Sequence, residues 1–100
     1  EWIDLYYLLD MVPDLRVIGA HFGGYSEWDD VLTLEPRDNV YMDTSSALFF
    51  MEKEKVYAFF EKFGIDHFFF GTDFPMWNPT EELERFYDLH LSLLFLYFLL

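Results

Sequence analysis

The stretch His67-Phe-Phe-Phe-Gly-Thr-Asp-Phe-Pro75 decides how the rest of the chain is read. Phe68, Phe69 and Phe70 form a short apolar run, the pattern of a strand buried on both faces. Gly71 allows a turn or a close backbone approach, and Asp73 follows where the strand should end. Phe74-Pro75 stops the ladder, because proline has no N–H to donate. A carboxylate at the end of a buried strand is costly unless a positive group meets it. The stretch therefore predicts a strand that delivers Asp73 to a place where such a group is needed.

The same strand-then-polar-group pattern occurs twice more on the amino-terminal side. Leu15 to Ala20 reads as a buried strand running into His21-Phe22-Gly23-Gly24, and Val40-Tyr41-Met42 reads as a strand ending at Asp43-Thr44-Ser45-Ser46. Helices alternate with these strands. Trp2, Leu5, Tyr6, Leu9 and Val12 have helical spacing, stopped by Pro13-Asp14. Ser26 is placed to cap a helix over about 27–34. Val56, Phe59, Phe60 and Phe63 line one face of a helix over 52–63 that Gly64 closes. Asn78-Pro79-Thr80 caps a last helix from Glu81 to about Leu89, its first turn acidic as the helix dipole favours.

The order α-β-α-β-α-β-α predicts an α/β fold with right-handed crossovers and a parallel sheet. Function in such sheets sits at the carboxyl ends of the strands. Those three ends carry His21, Asp43 to Ser46, and Asp73.

Composition narrows the function classes. Six basic residues against 19 acidic ones give a formal charge of −13, which repels a phosphate backbone and an anionic membrane surface. With 53% apolar residues and 13 Phe in only 100 residues, the chain has more core material than its size can hide. Some apolar surface is thus expected to meet a partner, the missing part of a bigger fold or a second copy in a homo-oligomer. The absence of cysteine excludes disulfides and thiol chemistry. Glu1-Trp-Ile-Asp4 is no signal peptide, and the expected location is the cytoplasm. Leu89 to Leu100 is apolar but shorter than the roughly 20 residues of a membrane span.

Spacing alone leaves the roles of the rim residues open. Asp73 reads equally as a metal ligand, a general base or a turn cap. His21 reads as a ligand or base facing the rim, with Gly23-Gly24 admitting a substrate, or as a histidine bonded within its loop. The hydroxyls of Thr44, Ser45 and Ser46 more often satisfy turn amides than bind substrate. Asp43 reads as a partner for a neighbouring loop rather than a ligand. Trp28 and Trp77 follow strands and fit a pocket wall or core packing. His67 and His90 read as structural or solvent-facing.

Ala20-His-Phe-Gly-Gly24, Asn39-Val-Tyr-Met-Asp-Thr-Ser-Ser46 and Phe70-Gly-Thr-Asp-Phe-Pro75, in this order, resemble the last third of the amidohydrolase-related metal-dependent hydrolases. That branch includes aminocarboxymuconate-semialdehyde decarboxylase and related acid decarboxylases. The resemblance covers roughly residues 1–88. It implies a partial (β/α)8 TIM barrel in which residues 1–92 supply strands six to eight with their helices. Residues 93–100 depart from the family pattern as a separate apolar tail.

The resemblance further implies that Asp73 binds a divalent metal, zinc above all, and handles a proton. It implies that His21, beside the metal, acts on water or substrate; Ser45 and Trp77, at the strand ends, are the expected contacts for a small-molecule substrate. The expected activity is hydrolysis of an amide, ester or similar bond. Non-oxidative decarboxylation of a small carboxylic acid is the runner-up, and a non-catalytic interaction module is the alternative outside enzymes. The family's histidines at strands one and five have no counterpart here, so the fragment alone is expected to be inactive.

Overall fold

Apolar residues at helical spacing draw the helices onto one face of a short parallel sheet. The computed structural model describes residues 1–91 and contains α1 (Trp2–Met11), β1 (Val17–Gly19), α2 (Trp28–Val31), β2 (Val40–Asp43), α3 (Lys53–Phe63), β3 (Phe68–Phe69) and α4 (Pro79–Tyr87). A single 3-10 turn, Ile65–His67, leads into β3. The strands lie in the order β1-β2-β3, with Val17 beside Val40 and Met42 beside Phe68, all parallel. Parallel strands require crossovers, and α2 and α3 lie in the connections that provide them. The alternating α/β order is thus the one the sequence predicts.

One face of the sheet makes the core. Val40, Met42 and Phe68 point to the side on which Leu9 of α1, Val56, Phe59, Phe60 and Phe63 of α3, and Phe86 of α4 are buried. Phe22, from the loop after β1, is fully buried, its ring 5.2 Å from that of Phe59, 6.0 Å from Phe60 and 5.4 Å from Phe68. These centroid separations fall in the range where aromatic pairs gain beyond simple area burial. The apolar stripe of α3 accounts for its position, and Gly64, at φ 89°, ends the helix with its N–H bonded to the Phe60 carbonyl. At α4 the Asn78 side chain accepts from the amides of Thr80 and Glu81, with Pro79 in the first turn, as the sequence predicts. Lys53 and Asp88 join the start of α3 to the end of α4 at 2.9 Å. Their hydrogen bond raises the lysine pKa and lowers that of the aspartate.

The structure corrects three local expectations. Ser26 does not cap α2: it lies in the left-handed region at φ 62°, Glu27 takes the cap position, and the helix is only four residues long. The loop needs its residues to turn the chain back from β1, which leaves little for a helix. The strand expected over Leu15 to Ala20 is reduced to three residues on the sheet edge, none of them fully buried. The Phe run is not buried on both sides, since Phe68 is enclosed while Phe69 is 43% exposed. The tail at 93–100 lies outside the described residues.

The exposed side of the sheet carries Ile18, Tyr41 and Phe69, with Ile18 61% exposed. Tyr41 stacks on His67 at 4.7 Å and leans on Phe69 at 5.7 Å. In a closed barrel this face is interior. Phe59→Ala should cost about 3–5 kcal/mol, read as a lower denaturant midpoint at unchanged slope. Ile18→Thr in the 100-residue chain should cost less than about 0.5 kcal/mol. A cost of several kcal/mol at Ile18 would show that the open face is covered in solution.

Candidate active site at the carboxyl rim

The carboxyl ends of the three strands meet in a knot of hydrogen bonds built on Asp43. Its Oδ1 accepts from the His21 amide at 2.9 Å, the Ser45 amide at 3.1 Å and the Ser45 hydroxyl at 2.7 Å. The Asp43 carbonyl also accepts from the Phe22 amide at 2.8 Å. One side chain thus ties the loop after β1 to the loop after β2. From the third strand, the Phe69 carbonyl accepts from the Thr44 amide, and the Gly71 amide donates to the Thr44 hydroxyl at 3.3 Å. A Cβ on Gly71 would sit 3.2 Å from Oδ2 of Asp43 and 3.3 Å from Cβ of Ser45, so the close approach there favours glycine.

The knot orients His21. Its Nδ1 lies 2.9 Å from the Ser45 carbonyl and 2.9 Å from the Ser45 hydroxyl. A carbonyl only accepts, and the single Ser45 hydroxyl proton is directed to Asp43, so Nδ1 carries the hydrogen. In the neutral ring Nε2 then holds the bare lone pair, as a proton acceptor or metal donor requires. Trp28 braces the same residue by donating its indole N–H to the His21 carbonyl at 2.8 Å.

Asp73 is held from the other side. Its Oδ2 accepts from the Ser46 hydroxyl at 2.6 Å, and Ser46 in turn accepts from the Trp77 indole N–H at 2.8 Å. His21, Ser46, Asp73 and Trp77 line one cavity of about 290 Å3, walled by Tyr25, Phe50 and Met76. The Arg85 guanidinium lies over the Trp77 ring at 5.5 Å and over Phe49 at 5.0 Å, backing the aromatic wall. His21, Phe22, Ser46 and Asp73 all have positive φ, at 58°, 55°, 52° and 57°. Such backbone costs of order 1–3 kcal/mol per residue and tends to collect at functional sites.

The structure brings His21, Asp73 and Trp77 to one cavity, while Ser45 is not among its lining residues. Ser45 is buried, and its hydroxyl and carbonyl serve Asp43 and His21. Asp73 is exposed at the rim rather than enclosed at a strand end, and its side-chain partner among the described residues is the Ser46 hydroxyl. Asp43 pairs with the neighbouring loop, as the sequence predicts, while Ser46 is the residue whose importance spacing undervalued. The pattern Asp43-x-Ser45 does carry a local signal, since an aspartate readily accepts from the amide two residues on. Ser46 carries none, because its partners lie 27 and 31 residues away.

The donor chemistry of the cavity suits a divalent cation in part. A carboxylate and an imidazole face it, yet among the described residues no group of three or more His, Asp or Glu side chains converges. A catalytic site generally needs three protein ligands. Asp43→Ala, which strips three donors of their acceptor, should lower stability by about 2 kcal/mol in a denaturant titration, and Asp43→Asn by less. An unchanged midpoint for Asp43→Ala would show that the knot is not what holds the rim.

Three comparisons place this geometry among known proteins. The family model described as amidohydrolase matches residues 3–96. No curated protein sequence matches the chain. Among solved structures, a candidate 2-pyrone-4,6-dicarboxylic acid hydrolase from Pseudomonas putida superposes with a TM-score of 0.70 at 19% identity, over 96% of this chain and 44% of that one. A 2,6-dihydroxybenzoate decarboxylase in complex with 2,6-dihydroxybenzoate superposes at 0.65 with 22% identity, over 88% of this chain and 32% of that one. A dihydroxybenzoic acid decarboxylase from Polaromonas sp., solved with manganese and the inhibitor 2-nitroresorcinol, gives the same figures. The chain thus spans less than half the length of the solved proteins it matches. At these identities the likeness shows the fold alone, a portion of a TIM barrel. With a family model matching nearly its whole length, the chain belongs to the amidohydrolase family.

Proposed function

We propose that the protein of which this chain forms a part is a metal-dependent hydrolase that cleaves an ester, lactone or amide bond of a small, planar molecule. The observation that carries this reading is one cavity on which His21 and Asp73, from two different strand ends, stand against walls of Tyr25, Phe50 and Trp77. Asp73 would offer Oδ1 to a divalent ion while Ser46 holds Oδ2, and His21 would stand beside the ion with its Nε2 lone pair free. Zinc and manganese both accept a carboxylate oxygen donor. When bound, the ion supplies Lewis acidity and positive charge. His21, fixed in one tautomer, takes a proton at Nε2 from water or returns it to the leaving group. The aromatic walls would stack on a flat substrate. On its own the chain lacks a full ligand set among its described residues, so activity is assigned to the longer protein.

Decarboxylation is the second reading. Cavity walls that are mostly aromatic and apolar favour loss of a carboxylate as neutral carbon dioxide, and two of the similar structures are acid decarboxylases. The test uses the longest natural chain containing these residues. Asp73→Asn should remove most of the bound divalent metal, and His21→Gln should lower turnover by about 100-fold or more while keeping it. Carbon dioxide release from an aromatic acid would select decarboxylation, and incorporation of solvent oxygen into a cleaved ester or lactone would select hydrolysis. If both variants keep wild-type metal content and ligand binding, the enzymatic reading fails and an interaction module remains.

A further inference from the structure

We infer that Ser46 is a positioning residue for Asp73, and that Trp77 sets the direction in which its hydroxyl points. The inference rests on the reading of Asp73 as a metal ligand. The direction of each hydrogen bond follows from chemistry alone. The Trp77 indole N–H only donates, so Ser46 Oγ accepts from it at 2.8 Å. A carboxylate only accepts, so the one Ser46 proton goes to Asp73 Oδ2 at 2.6 Å. The chain Trp77 to Ser46 to Asp73 therefore has a single polarity. It occupies Oδ2 and turns Oδ1 into the oxygen that is left for a cation.

Two further observations separate this arrangement from an ordinary turn contact. Ser46 is only 7% exposed, so its hydroxyl has little water to exchange with. Ser46 and Asp73 also both occupy the left-handed region, at φ 52° and 57°, on loops from different strands. Neither conformation is cheap for a residue with a side chain, and here each strained residue faces the other across the hydrogen bond. The adjacent serines divide the rim between them: Ser45 serves His21 and Asp43, Ser46 serves Asp73. The turn at Ser46 sends the two hydroxyls in different directions.

The experiment measures manganese affinity by titration in the longest natural chain, with the ligand-field spectrum of the cobalt-loaded protein as a second readout. Ser46→Ala should raise the manganese dissociation constant about 10- to 100-fold and shift the cobalt spectrum. Ser46→Gly should do the same while relieving the positive φ, and it carries the test if Ser46→Ala fails to fold. Trp77→Phe, which keeps a ring but loses the N–H, should give a smaller loss that disappears in the Ser46→Gly background. Unchanged affinity in both serine variants, with manganese lost in Asp73→Asn, overturns the role of Ser46 and leaves the proposed site standing. Unchanged affinity in Asp73→Asn as well overturns both. An undiminished effect of Trp77→Phe in the Ser46→Gly background overturns the role of Trp77.

Discussion

A single carboxylate oxygen, Oδ1 of Asp43, accepts three hydrogen bonds, and the rim depends on them. The His21 amide, the Ser45 amide and the Ser45 hydroxyl all converge on it. An acceptor that bears charge makes stronger hydrogen bonds than a neutral one, which suits it to hold loops in unfavourable backbone conformations. Five non-glycine residues with positive φ, His21, Phe22, Ser26, Ser46 and Asp73, lie on the loops it joins or on the loop facing them. Without that anchor, the two loops would have only short strands to align them, since β1 has three residues and β2 four.

The core beneath the rim works by a different principle. Phe22 leaves β1, turns into the interior and meets Phe59, Phe60 and Phe68. The residue next to His21 is thus a fully buried anchor, and the imidazole inherits its rigidity. Dispersion and apolar burial hold Phe22, while directional hydrogen bonds aim His21. Two adjacent residues with positive φ are tolerable because both side chains are fixed, one by packing and the other by Ser45.

The excess of apolar residues now has a location. Ile3, Tyr7, Leu8 and Met11 on α1 and Ile18 and Phe69 on the sheet are exposed large hydrophobic residues. The open sheet face is the one that a closed barrel fills with side chains from its other strands. That agrees with a chain spanning less than half the length of the barrel proteins it superposes on. The acidic surface, by contrast, is solvated, and some of its few cations form ion pairs, Lys55 with Asp29 and Arg37 with Asp10.

Periodicity by itself determined the α/β order, the inward faces of α1 and α3, the Asn78 cap and the three strand ends that carry polar groups. These are local properties, set by spacing along the chain and by the special backbones of glycine and proline. The ordered motifs at those ends were also enough to point to the family. Tertiary structure alone decided that β1 is a short edge strand, that Ser26 is a turn residue, and that Phe69 faces outward. It also decided that Ser45 braces His21 instead of lining the cavity, and that Ser46 and Trp77 hold Asp73. The physical reason is the same in each case. A hydrogen bond between residues 24 to 31 positions apart leaves no periodic trace, and which of two neighbouring serines meets which partner depends on backbone angles that only the folded rim imposes.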